Sequence, residues 1–191
     1  MADAVVFIAN GSEEVETFTP VDYLRRAKVC VKLVSVASED ENIVCSHKIA
    51  VKADETLKDY LSSLKELPDA VVVPGGIPGS PNIASSSEAL DFINSMNREG
   101  KLVCAICAAP AVVLGKTEAP KGKKWTCYPG MKDQSKAEYV LNHVENVPFI
   151  HDKNLITACG AGAAEEFAME IVKTLCGEDE YKRIHDGCCQ R

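Results

Sequence analysis

The stretch Leu102-Val-Cys-Ala-Ile-Cys107-Ala-Ala-Pro-Ala-Val-Val-Leu114 passes from a buried-strand pattern into a helical one with no polar loop between them. Pro110 suits the first turn of the following helix, where a missing N–H costs nothing, so that helix is expected from about Ala108 to Lys116. Near-continuous Val- and Ile-rich runs like this one recur at Ala4 to Ala9, Val29 to Ala37, Ala70 to Val73, Lys101 to Ile106 and Asn154 to Ala158. Apolarity on both faces of a strand is the mark of a sheet covered on both sides. Helical patterns alternate with these runs, at Glu14 to Lys28, Thr56 to Leu64, Ser87 to Arg98, Ala108 to Lys116 and Ala163 to Leu175. The alternation predicts an α/β fold, a mostly parallel sheet with helices on both faces and its ligand site outside the carboxyl ends of the strands.

Working outward, Thr19-Pro20-Val21-Asp22 reads as a helix start, with Thr as cap, unless that helix begins a turn earlier. Two short apolar stretches, Ile43-Val44-Cys45 and Ile49-Ala50-Val51, predict a small β excursion. Lys116 to Tyr139, rich in charge, Gly and Pro, is expected to wrap the surface, and the tail from Glu178 to form one last helix.

The whole chain has 191 residues, which suits one domain spanning 1–191. Its 21 Lys and Arg against 28 Asp and Glu give a net charge of −7, which repels phosphate backbones and anionic lipid, so neither nucleic acid nor membrane is the expected partner. The amino terminus lacks a basic segment before its apolar run, and Leu102 to Leu114 is too short to span a bilayer, so a cytoplasmic protein is expected. Nine cysteines, an odd number, then read as reduced thiols.

Cys107 stands at the strand–helix junction, the position of a nucleophile elbow, where free helix N–H groups favour thiolate. The local pattern fits a buried small hydrophobe equally well. Cys104 and Cys107 spell C-x-x-C, but along an extended strand they lie about 10 Å apart, too far for a disulfide. The histidines at 47, 143, 151 and 185 give no zinc-ligand spacing, so no metal is expected. Of the acids after the first strand, Glu13 and Glu14 read as a solvated helix start. Glu16, if turned toward Cys107 and kept protonated by desolvation, would serve as general acid and base. In Pro74-Gly75-Gly76-Ile77-Pro78-Gly79 a glycine N–H suits a developing oxyanion, or the stretch is simply a tight turn. Gly160-Ala-Gly162-Ala-Ala-Glu165 follows the last strand rather than the first and is discounted as a dinucleotide fingerprint, and Lys121-Gly-Lys-Lys124 reads as a solvated loop.

Gly11-Ser-Glu-Glu-Val-Glu16-Thr17, Pro20-Val-Asp22 with Leu24-Arg25-Arg26-Ala27, Val72-Val-Pro-Gly-Gly76, Ala105-Ile-Cys107-Ala-Ala-Pro110 and Glu166-Phe-Ala168 together resemble the ThiJ/PfpI superfamily, specifically its parkinsonism-associated protein deglycase branch. The resemblance implies a flavodoxin-like three-layer sandwich and a homodimer. It also implies a nucleophile at Cys107, a partner carboxylate at Glu16, and oxyanion-hole backbone groups at Gly76 and Ala108. The implied activity needs no cofactor: conversion of methylglyoxal and glyoxal to hydroxy acids, or removal of early glycation adducts from proteins and amines. A redox sensor or stress chaperone using the same cysteine is the alternative, and a cysteine peptidase a weaker one. The chain departs from the pattern at Tyr128, where relatives carry a His; at His47, where they carry a basic residue, so that an anion pocket becomes pH-dependent; and at Ala161, within a Gly-Pro-Gly of relatives. No role is assigned to Cys188 and Cys189.

Overall fold

Every residue of Ala70–Val73 and Leu102–Ile106 is buried, as are all but the first of Asp3–Ile8, because these strands form the centre of a sheet covered on both faces. The computed structural model describes residues 2–190. In chain order its strands are β1 (Asp3–Ile8), β2 (Cys30–Ser35), β3 (Asn42–Val44), β4 (Ala50–Lys52), β5 (Glu55–Thr56), β6 (Ala70–Val73), β7 (Leu102–Ile106), β8 (Phe149–Asp152) and β9 (Leu155–Ala158). Its helices are α1 (Glu14–Arg26), α2 (Leu57–Ser63), α3 (Gly79–Ile83), α4 (Ser87–Arg98), α5 (Ala109–Val112), α6 (Ala137–Val140), α7 (Ala164–Cys176) and α8 (Glu178–Gly187).

Seven strands form one sheet in the order β5-β2-β1-β6-β7-β9-β8, parallel throughout except for the β8–β9 pair. Alternate residues of each strand feed two cores. On one face Val6, Ile8, Val72 and Ile106 pack with Leu24 of α1 and Phe167 and Ile171 of α7. On the other, Phe7, Val71 and Val103 meet Tyr60 of α2, Phe92 and Met96 of α4, and Trp125. The fold is therefore α/β and flavodoxin-like, with three layers. No helix among the described residues is long and apolar enough to cross a membrane.

The β excursion is the antiparallel hairpin β3–β4, paired through Ile43 and Val51, and the tail forms α8. Other expectations need correction. Helix α1 begins at Glu14 with Glu13 as its cap, so Thr19 caps nothing and Pro20 lies inside the helix, leaving the Glu16 carbonyl without a helical donor. The helix expected over Ala108 to Lys116 is two short pieces, α5 and a 3₁₀ turn at Leu114–Lys116; it breaks where the Gly115 backbone lies against Ser135, whose Cα would be 2.8 Å from a Cβ there. The segment expected to wrap the surface instead buries Trp125 and Tyr139: the indole N–H donates to the Tyr139 carbonyl at 2.8 Å and the phenol to the Thr117 carbonyl at 2.8 Å.

Phe167 is fully buried between α7 and the sheet. Phe167→Ala is expected to lower the unfolding free energy by about 3–5 kcal/mol in a urea titration, and a loss below about 1 kcal/mol would contradict this packing.

Candidate active site

In a doubly wound sheet the crevice opens where successive crossovers diverge, here at the carboxyl ends of β1, β6 and β7. Three chain segments meet there: the start of α1 with its cap Glu13 and with Glu16, the β6–α3 loop with Gly75 and Gly76, and the β7–α5 turn with Cys107. A fourth, between β9 and α7, brings Ala161.

Cys107 has φ +63°, a left-handed conformation that costs a non-glycine residue roughly 1–2 kcal/mol. Its backbone holds that turn in place: its N–H donates to the Ala158 carbonyl at 2.9 Å and its carbonyl accepts from Tyr128 N–H at 2.8 Å. The side chain is half-buried, and the N–H groups of Gly76 and Ala108 face its sulfur and favour its charged form. Glu16, 1% exposed, faces the same sulfur. Its carboxyl accepts from Gly75 N–H at 3.0 Å and from the Ala161 N–H. Gly75 has to be glycine for this approach, since a Cβ there would stand 2.6 Å from Cys107 Cβ and collide with Glu16 Oε2. Gly76 has φ +91°, which aims its N–H at the sulfur with no side chain to accommodate.

The pair does not titrate as the sequence suggests. Burial raises the Glu16 carboxyl to about 7; the negative charge of Glu13 adds to this, while the bonds from Cys107, Gly75 and Ala161 oppose it. Burial, then the charge of Glu16, pushes the Cys107 thiol up to about 12, against the two N–H donors. Interacting groups release protons in two widely spaced steps that belong to the pair, so between about pH 7 and about 12 the two hold one proton. The correction is that a helix start does not by itself lower the Cys107 pKa: α5 is only four residues long, and the individual N–H groups, not a long helix dipole, face the sulfur.

Glu14 is also not solvated. Its Oε2 accepts from Ser46 Oγ at 2.9 Å and lies 2.7 Å from His47 Nδ1, and its Oε1 accepts from His47 N–H at 2.6 Å. Against the effect of burial, these bonds bring its pKa down to about 2 and raise that of His47. His47 thus faces the start of α1, bonded to Glu14 and, through Nδ1, paired with Ser46 Oγ at 3.1 Å. Glu13, Glu14 and His47 bring ligand atoms within 4.8 Å of one another, the one group of that kind among the described residues; helix capping and the contacts just described already account for all three. All nine cysteines are free, and Cys104 is fully buried within β7, which removes any C-x-x-C redox pair. Tyr128 is half-exposed, its ring against Gly160. His143 pairs with Cys127 at 3.5 Å rather than with Cys107.

Sequence reasoning named Cys107, Glu16, Gly76 and Ala108, and the fold brings all four together. It missed Gly75, Ala161 and Glu13, which act through backbone groups or as a helix cap. The Gly75-Gly76 doublet was the one local signal for them.

The DJ-1/PfpI family matches residues 2–174. The chain belongs to that family. It is 36% identical over 184 residues to protein dj-1beta of Drosophila melanogaster, covering 96% of this chain and 95% of that one. It is 28% identical to the glutathione-independent glyoxalase DJR-1.2 of Caenorhabditis elegans, covering 93% of this chain and 90% of that one. Oxidized DJ-1 of Toxoplasma gondii superposes with a TM-score of 0.90 at 29% identity, covering 100% of this chain and 99% of that one.

The raised Glu16 has a consequence for stability. Between its unfolded value of 4.5 and about 7 the folded chain keeps a proton that the unfolded chain releases, so stability falls as pH rises through that window. Denaturant titrations at pH 4.5 and 7 should show wild type losing roughly 3 kcal/mol relative to Glu16→Gln; parallel curves would mean that Glu16 ionises normally in the fold.

Proposed function

We propose that this DJ-1/PfpI protein is a cofactor-independent cysteine enzyme that turns methylglyoxal into lactate and acts on early glycation adducts of proteins and amines. The observation that carries the reading is the Cys107 sulfur held between two N–H donors and a buried carboxyl whose pKa is raised to about 7. The relative named a glutathione-independent glyoxalase supports it.

The thiolate of Cys107 adds to the aldehyde carbon of methylglyoxal, making the C–S bond and turning the carbonyl into an alkoxide. The N–H groups of Gly76 and Ala108, which face the sulfur, are placed to steady that oxyanion. Protonated Glu16 gives its proton to the oxygen and, now ionised, takes the hydrogen from the same carbon as a proton, leaving an enediolate. Returning it to the neighbouring carbon, with the hydroxyl proton passing from the first oxygen to the second, gives a lactoyl thioester. Water then cleaves the C–S bond, releasing lactate and regenerating the thiolate, so methylglyoxal plus water balances lactic acid. A buried acid near neutrality suits this alternation between donor and acceptor. On an early glycation adduct the aldehyde carbon already carries the amine nitrogen, so the sulfur takes that nitrogen's place, the C–N bond breaking as Glu16 gives its proton to the departing amine, and the later steps are the same.

The same reading includes a homodimer. It is supported by the half-exposed apolar side chains Val15, Val44 and Ile49 around the junction of α1 with the β3–β4 hairpin. A cytoplasmic setting suits nine free cysteines. A redox-sensing role draws on the same half-exposed sulfur, and the Toxoplasma gondii relative is an oxidized DJ-1. A peptidase lacks support: among the described residues the groups facing the Cys107 sulfur are Glu16, Gly76 and Ala108, and none is a histidine.

Purified protein should form lactate from methylglyoxal, with Cys107→Ser and Glu16→Ala each losing at least about 100-fold in turnover. Undiminished turnover in both variants would reject the assignment.

A further inference from the structure

Above about pH 7 the Cys107–Glu16 pair holds one proton, and the contact between the two side chains favours that proton on sulfur. Two N–H groups, of Gly76 and Ala108, face the sulfur, and two, of Gly75 and Ala161, face the carboxyl. Each set favours the charged form of the atom it faces. A further charge placed nearer to one partner shifts that balance.

Glu13 is placed to supply it. Its Oε2 accepts the Glu16 backbone N–H at 2.7 Å, its own N–H donates to the Gly75 carbonyl at 3.2 Å, and its carbonyl takes Thr17 N–H at 3.1 Å and Thr17 Oγ1 at 2.6 Å. The first of these bonds holds the Glu13 carboxylate at the start of α1, against the Glu16 backbone, and the other three fix the Glu13 backbone. The cationic group facing it is His47, whose Nδ1 lies 3.8 Å from Glu13 Oε1 and 2.7 Å from Glu14 Oε2. His47 is carried on the β3–β4 hairpin, which is bonded to the same loop through Gly11 N–H to the Val44 carbonyl at 2.8 Å and Ser46 N–H to the Ser12 carbonyl at 2.9 Å.

We propose that Glu13 is a positioning residue: its carboxylate, bonded to the Glu16 backbone N–H, biases the shared proton toward Glu16 and so the charge toward the Cys107 sulfur, while protonated His47 weakens that bias. The proposal rests on the reading of Cys107 as a thiolate nucleophile and names what makes it one. Coulomb repulsion from Glu13 acts on Glu16, as the raised Glu16 value reflects, whereas Glu13 is not among the main influences on Cys107. The titratable groups around this device are few. Cys107, from the β7–α5 turn, faces Glu16; the loops after β6 and β9 offer it only backbone N–H groups. Around His47 stand Glu13 and Glu14 of α1 and Cys45 of the hairpin, whose thiol is pushed up to about 11 by burial and these two acids. As pH falls and His47 gains its proton, its positive charge offsets Glu13 and the shared proton moves toward the sulfur. Reactivity of Cys107 would then fall on acidification faster than its own titration dictates.

The test is the ultraviolet thiolate absorbance of Cys107, taken as the difference from Cys107→Ser in the same background, from pH 5 to 8, with the melting temperature of each variant alongside. Glu13→Gln keeps an oxygen for the Glu16 N–H but removes the charge, and should lower the thiolate signal by about a third or more, equivalent to half to one pKa unit of lost bias. Glu13→Asp, which restores the charge, should restore most of the signal. His47→Gln, on an exposed residue outside the reacting pair, should raise the signal in the acid part of the range. A merely structural role for Glu13 would lower the melting temperature and leave the thiolate fraction unchanged; that result, or an unmoved His47→Gln curve, overturns the proposal. Wild type with no Cys107 thiolate signal at all would overturn the nucleophile reading as well, which distinguishes the two failures.

Discussion

Glu16 is a carboxyl group almost wholly removed from water and in contact with a sulfur that also carries an ionisable proton. Burying an isolated carboxylate costs several kcal/mol, so such a group either keeps its proton or collects hydrogen bonds. Here it does both in part: two backbone N–H groups offset some of the burial, and the remainder raises its pKa into the neutral range. The sulfur is under the same constraint. Neither group can be understood alone, because the charge of one sets the cost of charging the other.

Much of the local chain is arranged to make that contact. The parallel sheet brings the ends of β1, β6 and β7 side by side, so residues far apart in sequence meet within one crevice. Gly75 lets the β6 loop slide between Glu16 and Cys107, and the left-handed turn at Cys107 lifts its side chain out of the strand toward the carboxyl. Strain of roughly 1–2 kcal/mol at that turn persists because Ala158 and Tyr128 grip the backbone from either side. The β3–β4 hairpin adds a second layer, tying His47 and Ser46 to Glu14 at the head of α1.

The central strands and long helices were legible because their apolar periodicity is strong: the helix expected over Ser87 to Arg98 is α4 to the residue, closed at its start by Ser86 Oγ accepting from Ala89 N–H. What escaped was decided by tertiary contact. Strand β8, four half-exposed residues including His151 and Asp152 at the sheet edge, has no apolar run to announce it and forms because β9 offers a partner. Trp125 was hidden in a charged loop. Thr19-Pro20 looked like a cap because sequence cannot tell a first-turn proline from one accommodated inside a helix. At the site, Cys107 and Glu16 were readable from position and chemistry, whereas Gly75 and Ala161 contribute backbone N–H groups, which every residue but proline has. The neighbouring acids Glu13 and Glu14 were misjudged for a related reason: their solvation depends on a hairpin that starts nearly thirty residues later.

The most direct measurement is the rate of Cys107 alkylation as a function of pH, read by mass spectrometry of the peptide that carries it. The rate is expected to be level from neutral pH upward, because a thiolate faced by the Gly76 and Ala108 N–H groups and by a protonated Glu16 is already formed there. A rate that climbs only around the free-cysteine value of about 8.5, or keeps climbing toward about 12, would place the retained proton on sulfur and contradict a thiolate at Cys107 near neutrality.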